Sequence, residues 1–302
     1  MTVDLATGEL AFVDLTFVGL DAVPAPGEER HARDVVRSPG GAATTAIGAA
    51  RLGLSAAVAS PLGADADGDF LRGALADEGV RWAGRRVART ALTAVLPAAG
   101  ERAMATYEPG EQVRAEELET LAPAAVVLSL PRLELAPAGA VVYATAGDAQ
   151  ARHGELPDAL GDVRAMIVNE REALLLSGAS TAEAAARRLA AHAPCVVVTL
   201  GPRGAVAAAD GELLHAPGVP ADTVDTTGAG DLFTAAYAWA DAHGLGLEER
   251  LRWAVLYASL SVSAPTAVGG AARLHELVAA GRRAGLASPP PRPSVITTRR
   301  HP

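Results

Sequence analysis

Four short apolar runs in the second half of the chain, at residues 125–130, 140–144, 165–168 and 195–200, constrain the fold more than any other feature. They have the length of strands buried on both faces. Helical patterns separate them, clearest over residues 181–191. Strand–helix alternation of this kind predicts βαβ units, and therefore a mostly parallel sheet covered by helices on both sides. A hairpin is expected from runs at 206–209 and 212–215, which turn through Asp210-Gly211. Three helices should close the domain, at 230–242, 248–263 and 271–284. The first hundred residues are less regular. A β-like run over 10–20 carries Asp14 inside it, and Pro24-Ala25-Pro26-Gly27 signals a turn. Gly40-Gly41 precedes a small-residue helix over about 42–52, which Gly53 ends as a C-cap. A second helix is expected over 69–78. Two β-like runs follow near 91–97 and 103–107, joined by a turn at 98–101.

Composition narrows the chemistry. All 26 basic residues are arginine, and lysine is absent from the 302 residues. A Walker A phosphate loop, a protein-kinase site, a pyridoxal-phosphate enzyme and a Schiff-base aldolase all need lysine, so those classes are excluded. The net charge of −9 argues against nucleic acid or an anionic membrane as partner. No apolar stretch reaches the length of a membrane span. Met1-Thr2-Val3-Asp4 lacks the basic start of a signal peptide, and the cytoplasm is the expected location. The single cysteine, Cys195, opens an apolar run and reads as a small core residue. The seven histidines show no metal-binding spacing.

The chemistry concentrates in Asp225-Thr226-Thr227-Gly228-Ala229-Gly230-Asp231, directly before an expected helix. Glycines there let backbone N–H groups converge on one spot, and the helix N-terminus adds partial positive charge. Asp231 would sit in the first turn beside this anion hole, where a carboxylate can take a proton from a hydroxyl that attacks phosphorus. A lone glycine turn followed by a helix-favouring acid is the plainer reading of the same residues. Asn169 and Glu172, at i and i+3 on one helix face, likewise read first as a cap and a first-turn acid. Asp14 reads either as a strand-end acid facing water or as a buried carboxylate that needs a partner.

The whole heptapeptide, with the small residues Ala235 and Ala236 after it, resembles the C-terminal signature of the ribokinase-like (PfkB) carbohydrate kinase family. Other landmarks fall in the family's order. Gly40-Gly41-Ala42, Ala46, Gly53 and Gly63 resemble its N-terminal signature, with Thr44 where the family has Asn. Gly63-Ala64-Asp65 and Gly68, Asn169 with Glu172, and the stretch Thr199-Leu200-Gly201-Pro202-Arg203-Gly204-Ala205 also match. The resemblance implies an α/β fold of three layers, α/β/α, with a mostly parallel central sheet and a small β-sheet lid. It implies one kinase domain over residues 1–287, with lid strands within about 10–37 and 88–108; the proline-rich stretch from Ser288 on reads as a flexible tail over 288–302.

The resemblance also implies an activity: ATP-dependent phosphorylation of a hydroxyl on a small sugar or sugar-like molecule. Asp231 is then the base, and Gly228, Ala229 and Gly230 form the anion hole. Asn169 and Glu172 would place Mg²⁺ on the phosphates, while Thr199, Gly201 and Gly204 would contact ATP. Asp14, Gly40, Gly41 and Thr44 would face the acceptor. Asp225 and the Thr227 carbonyl, with a loop near 267–270, would hold a monovalent cation such as K⁺. A homodimer through the lid is expected. Thr44, Pro131-Arg132 and Ala144-Thr145-Ala146 depart from the family's sugar-contacting residues, so ribose and fructose are not indicated over another sugar, a sugar acid or a nucleoside. A nucleoside kinase and a non-catalytic sugar-binding homologue remain the alternatives. A nicotinamide oxidoreductase lacks its Gly-x-Gly-x-x-Gly after the first strand.

Overall fold

The structure, a computed structural model, describes residues 2–98 and 101–292. The middle of the turn expected at 98–101, residues 99 and 100, and most of the expected tail fall outside these residues. The chain opens with β1 (Leu5–Thr7), β2 (Ala11–Val18) and β3 (Asp34–Gly41), then α1 (Ala42–Arg51) and the short strands β4 (Ala56–Val58) and β5 (Leu62–Gly63). Next come α2 (Ala66–Asp77), β6 (Arg81–Trp82), β7 (Arg86–Val87), β8 (Ala91–Ala98) and β9 (Glu101–Tyr107). After α3 (Ala115–Glu119) follow β10 (Ala125–Ser129), β11 (Val141–Thr145), α4 (Asp148–His153), β12 (Ala165–Asn169), α5 (Glu170–Ser177), α6 (Ala182–Leu189) and β13 (Cys195–Thr199). The hairpin β14 (Gly204–Ala209) and β15 (Glu212–Pro217) leads to α7 (Ala229–Ala242), α8 (Leu247–Ser261), α9 (Ala267–Gly270) and α10 (Leu274–Arg283).

The main sheet runs in the order β15-β14-β13-β12-β11-β10-β1-β4-β6. Every pairing from β13 across to β6 is parallel, and the β14–β15 hairpin closes one edge antiparallel. The apolar runs are continuous because both faces are covered. Val197, Ile167 and Val127 point into a core built on α1, α7 and α8, with Trp239 and Trp253 at its centre. Their neighbours Val196, Val198, Met166, Val168 and Leu128 point the other way, against Leu118, Leu176 and Leu189 of α3, α5 and α6. The layers are those expected. The 4-residue α9 and the short strands β4 and β6 carried too little periodicity to be read beforehand.

The order of the sheet positions the site. After β1 the chain first builds outward to β4 and β6, then returns to place β10 on the other side of β1. Strand order therefore reverses between β1 and β10, and ligands of open α/β sheets bind beyond the strand C-termini at such a point. A separate sheet in the order β3-β2-β8-β9 forms the lid. Asp14 lies on β2, an inner strand of that lid, paired with Ser38 and Thr93, so it is no edge residue. No helix among the described residues is long and apolar enough to cross a membrane.

Helix α7 runs from this reversal point to the opposite rim of the sheet, about 21 Å at 1.5 Å per residue. Its far end is clamped by Asp241, whose carboxylate accepts two bonds from Arg164 at 2.9 and 2.7 Å. Tyr143 adds one at 2.7 Å, and Arg250 lies at 3.0 Å. Burial alone would raise the Asp241 pKa, but the Arg164 and Tyr143 bonds and the two arginine charges together hold it below its ordinary value. Removing one member of a buried pair strands the others, at a cost of about 3–5 kcal/mol. Asp241→Ala is therefore expected to lower the thermal unfolding midpoint by several degrees in calorimetry. An unchanged midpoint would show that the clamp contributes nothing.

Candidate active site

A cavity of about 420 Å³ opens at the reversal point between β1 and β10, within the size range of small-molecule sites. Thr7 at the end of β1, Ser129 at the end of β10 and Thr199 at the end of β13 supply its floor. Gly228, Gly230 and Asp231 supply one wall, and Asn169 with Glu172 another. The strand ends and the α7 N-terminus thus meet around one space.

Gly228 adopts φ +71 as the N-cap of α7, a left-handed conformation that favours glycine. A Cβ there would stand 2.6 Å from the Ala267 methyl. Beside Gly230 a Cβ would meet nothing within 4 Å, so the start of the helix faces open space. Asp231 is in the first turn of α7, and its Oδ1 accepts a bond from Thr45 Oγ1 at 3.3 Å. The first N–H groups of a helix have no intrahelical acceptors. The arrangement can bind an anion and present a carboxylate beside it.

Asn169 and Glu172 form a capping box on α5. Glu172 N–H donates to Asn169 Oδ1 and Asn169 N–H to Glu172 Oε2, both at 2.9 Å. The cap reading of this pair holds for the local geometry, and both side chains also face the cavity. Burial pushes the Glu172 pKa up to about 7 against the pull of the Asn169 bonds. Asp14 is pushed up to about 7 as well, chiefly by burial and then by the charges of Asp231 and Asp225. Its carboxylate packs against the bare Cα of Gly40, where a Cβ would fall 2.2 Å from Oδ2. No hydrogen-bond partner for Asp14 is found among the described residues.

The expected residues divide. Asp231, Gly228, Gly230, Asn169, Glu172, Thr199 and Gly41 line the cavity. Asp14 and Gly40 lie together in the lid, close enough to Asp231 for its charge to be felt. Ala229 opens α7, while Gly201 and Gly204 bracket a 3₁₀ turn after β13, and none of these three lines the cavity. Thr44 is turned away: it is 1% exposed, and its hydroxyl donates to the Pro39 carbonyl at 3.2 Å. Asp225 is buried beside the loop before α9, where its carboxylate accepts from Thr227 N–H at 2.8 Å and Thr266 N–H at 3.1 Å.

Among the lining residues that sequence reasoning gave no role are Thr45, Glu9 and Arg132. Glu9 accepts bonds from Ser129 N–H and from Arg132, and Arg132 also reaches Gln112 and, at 3.2 Å, Ser129 Oγ. Burial raises the Glu9 pKa despite these partners. The Pro131-Arg132 departure was the one signal for Arg132; nothing local marked Glu9.

A family model described as pfkB family carbohydrate kinase matches residues 5–271. Over 109 residues, 36% of either chain, the protein is 39% identical to the ribokinase of Bacillus subtilis. Over 85 residues, 28% of either chain, it is 40% identical to that of Lactococcus lactis. These alignments span about a third of the relatives' length or less. Among solved structures, a ribokinase from Thermotoga maritima superposes with a TM-score of 0.80 at 22% identity, covering 93% of this chain and 99% of that one. The ribokinase of Arabidopsis thaliana complexed with ribose and ATP gives 0.77 at 26% identity, covering 93% and 99%. The fold is ribokinase-like, and with the family model matched across most of its length, the chain belongs to the pfkB family of carbohydrate kinases.

Proposed function

We propose that this protein transfers the terminal phosphoryl group of ATP to a hydroxyl of a small sugar or nucleoside, with Asp231 as general base. One observation carries the reading: an acid in the first turn of a helix whose glycine-rich N-terminus opens into the cavity at the sheet's reversal point. As the acceptor oxygen bonds to the terminal phosphorus, its proton passes to Asp231, and the bond to the bridging oxygen breaks to release ADP. The N–H groups of Gly228, Ala229 and Gly230 stabilise charge on the transferred group.

Thr199, with Gly201 and Gly204 in the turn beyond it, holds the nucleotide. Asp14 and the backbone of Gly40 and Gly41 hold the acceptor beneath the lid, which excludes water that would otherwise hydrolyse ATP. Mg²⁺ bound with ATP neutralises and orients the phosphates, and the cavity-facing Asn169 and Glu172 are the residues that would hold it, mainly through water. Asp225 and the Thr227 carbonyl would hold K⁺, and the Thr227 hydroxyl, buried without a hydrogen-bond partner among the described residues, is a further oxygen donor beside them.

Two measurements test the catalytic reading. ADP release from MgATP, assayed with D-ribose, D-fructose, fructose 1-phosphate and adenosine, should respond to at least one of them. Asp231→Asn should lower kcat on that acceptor by about 10²- to 10⁴-fold, the usual worth of a positioned base. Full activity in the variant removes Asp231 from the role.

Asp14 gives a test of opposite sign in stability and in function. Its folded pKa of about 7 exceeds the unfolded carboxylate value, so between about pH 4 and 7 the folded chain keeps a proton that the unfolded chain has lost. Stability from this group is therefore highest at low pH and falls as pH rises through that window. Asp14→Asn should raise the thermal midpoint at pH 8 and do so much less at pH 5, while raising the acceptor KM. No gain at pH 8 would mean that no costly buried charge exists there.

The lid ends on two open strand edges, β3 and β9, and exposes Val35, Met104 and Tyr107 at 48%, 56% and 47%. Apolar side chains on an open-edged sheet favour a second copy as cover. Light scattering at micromolar concentration should give about twice the 30.6 kDa chain mass, and a monomeric value refutes the dimer.

A further inference from the structure

Thr45 and Asp231 are 186 positions apart in the chain, yet the threonine hydroxyl donates to the carboxylate across the seam between α1 and α7. The contact is built into the packing. Gly48, one turn further along α1, lets the Leu232 side chain press onto the helix: a Cβ at that position would lie 2.5 Å from Leu232 Cδ2. Leu232 is the residue after Asp231, so the close approach that seats it also brings Asp231 to Thr45. Thr45 is 3% exposed and lines the cavity, so its rotamer is restricted and its hydroxyl is aimed at the site. The adjacent Thr44 cannot substitute, because its hydroxyl is bonded to the Pro39 carbonyl.

The two carboxylate oxygens of Asp231 are thereby distinguished. Oδ1 takes the Thr45 bond, and Oδ2 lies toward Gly228, 3.6 Å from where a Cβ of that residue would stand. Oδ2 is on the anion-hole side. A proton acceptor must be held within hydrogen-bond reach of the attacking hydroxyl, and a misplacement of 1 Å can cost about 100-fold in rate.

We propose that Thr45 is a positioning residue, whose bond to Oδ1 fixes the Asp231 carboxylate so that Oδ2 meets the acceptor hydroxyl beside the anion hole. The proposal rests on the reading of Asp231 as the base. It adds a residue outside the glycine-rich heptapeptide to the reaction machinery, one that acts on turnover and not on binding.

The test compares Thr45→Val, which keeps the shape and removes the donor, with Thr45→Ser, which keeps the donor and removes a buried methyl. Kinetics are read with MgATP and the most responsive of D-ribose, D-fructose, fructose 1-phosphate and adenosine, and with water as the slow acceptor in every case. Thr45→Val should lower kcat by about 10-fold or more with both KM values within about 2-fold, and Thr45→Ser should restore kcat to within about 3-fold. In an Asp231→Asn background, Thr45→Val should cause no further loss, since the carboxylate it orients is gone. A Thr45→Val enzyme with unchanged kcat, beside an inactive Asp231→Asn, overturns the positioning role and leaves the base in place. An unchanged kcat with a raised acceptor KM overturns it too, and makes the hydroxyl a substrate contact. Failure of Thr45→Ser to restore turnover reduces the residue to packing. A fully active Asp231→Asn removes the base itself and the positioning role with it.

Discussion

The burial of α7 is the constraint on which the rest of the structure depends. Nine consecutive residues, Leu232 to Ala240, are buried, so the helix is apolar on every side and has no freedom to slide or rotate. The central sheet lies along one side of it, while α1 and α8 occupy others. Small residues set the spacing: Gly48 faces Leu232 and Ala235, and Gly281 admits the Trp253 ring from α8. The helix ends where the core ends, and its N-terminus emerges where the parallel strands stop. Within the proposed function, the packing of the core is what puts the anion site at that place.

Electrostatics at this site work against stability. Glu9, Glu172 and Asp231 line one cavity, Asp14 lies close enough to feel the charges of Asp231 and Asp225, and Asp14 and Glu172 are both pushed up to about 7. A chain selected for stability alone would not bury Asp14 there with no hydrogen-bond partner among the described residues. The opposite rim shows the contrast, since Asp241 meets Arg164, Arg250 and Tyr143 and stays ionised. Asp241 is matched by two arginines where the helix is anchored, while Asp14, where it opens, meets no cation among the described residues. Within the proposed function, that imbalance is what a phosphate donor, its metal ion and a polyhydroxyl acceptor would relieve.

Much of the architecture was legible beforehand. The apolar runs at 125–130, 140–144, 165–168 and 195–200 became β10 to β13, because a strand covered on both faces needs continuous apolar residues. The hairpin turn at Asp210-Gly211 formed as expected, both residues taking positive φ. Short elements failed the same test: β4, β6 and α9 owe their existence to neighbours. In the site, the glycine heptapeptide was readable because its local geometry and its chemistry lie in one contiguous stretch.

The contributions of sequence and tertiary structure therefore separate by range. By itself the sequence determined the layered α/β class, the excluded lysine chemistries, and an acid beside a glycine-rich helix start, since each depends on residues near one another in the chain. Only the tertiary structure decided that Thr45 and not Thr44 faces Asp231. Neighbours on a helix point about 100° apart, and which one looks inward is set by how α1 seats on α7. It also joined Glu9 to Arg132 across 123 positions and put Asp14 under the influence of Asp231, by closing β1 against β10 and folding the lid over both. Contacts of that range follow from strand order and helix packing, which no local spacing encodes.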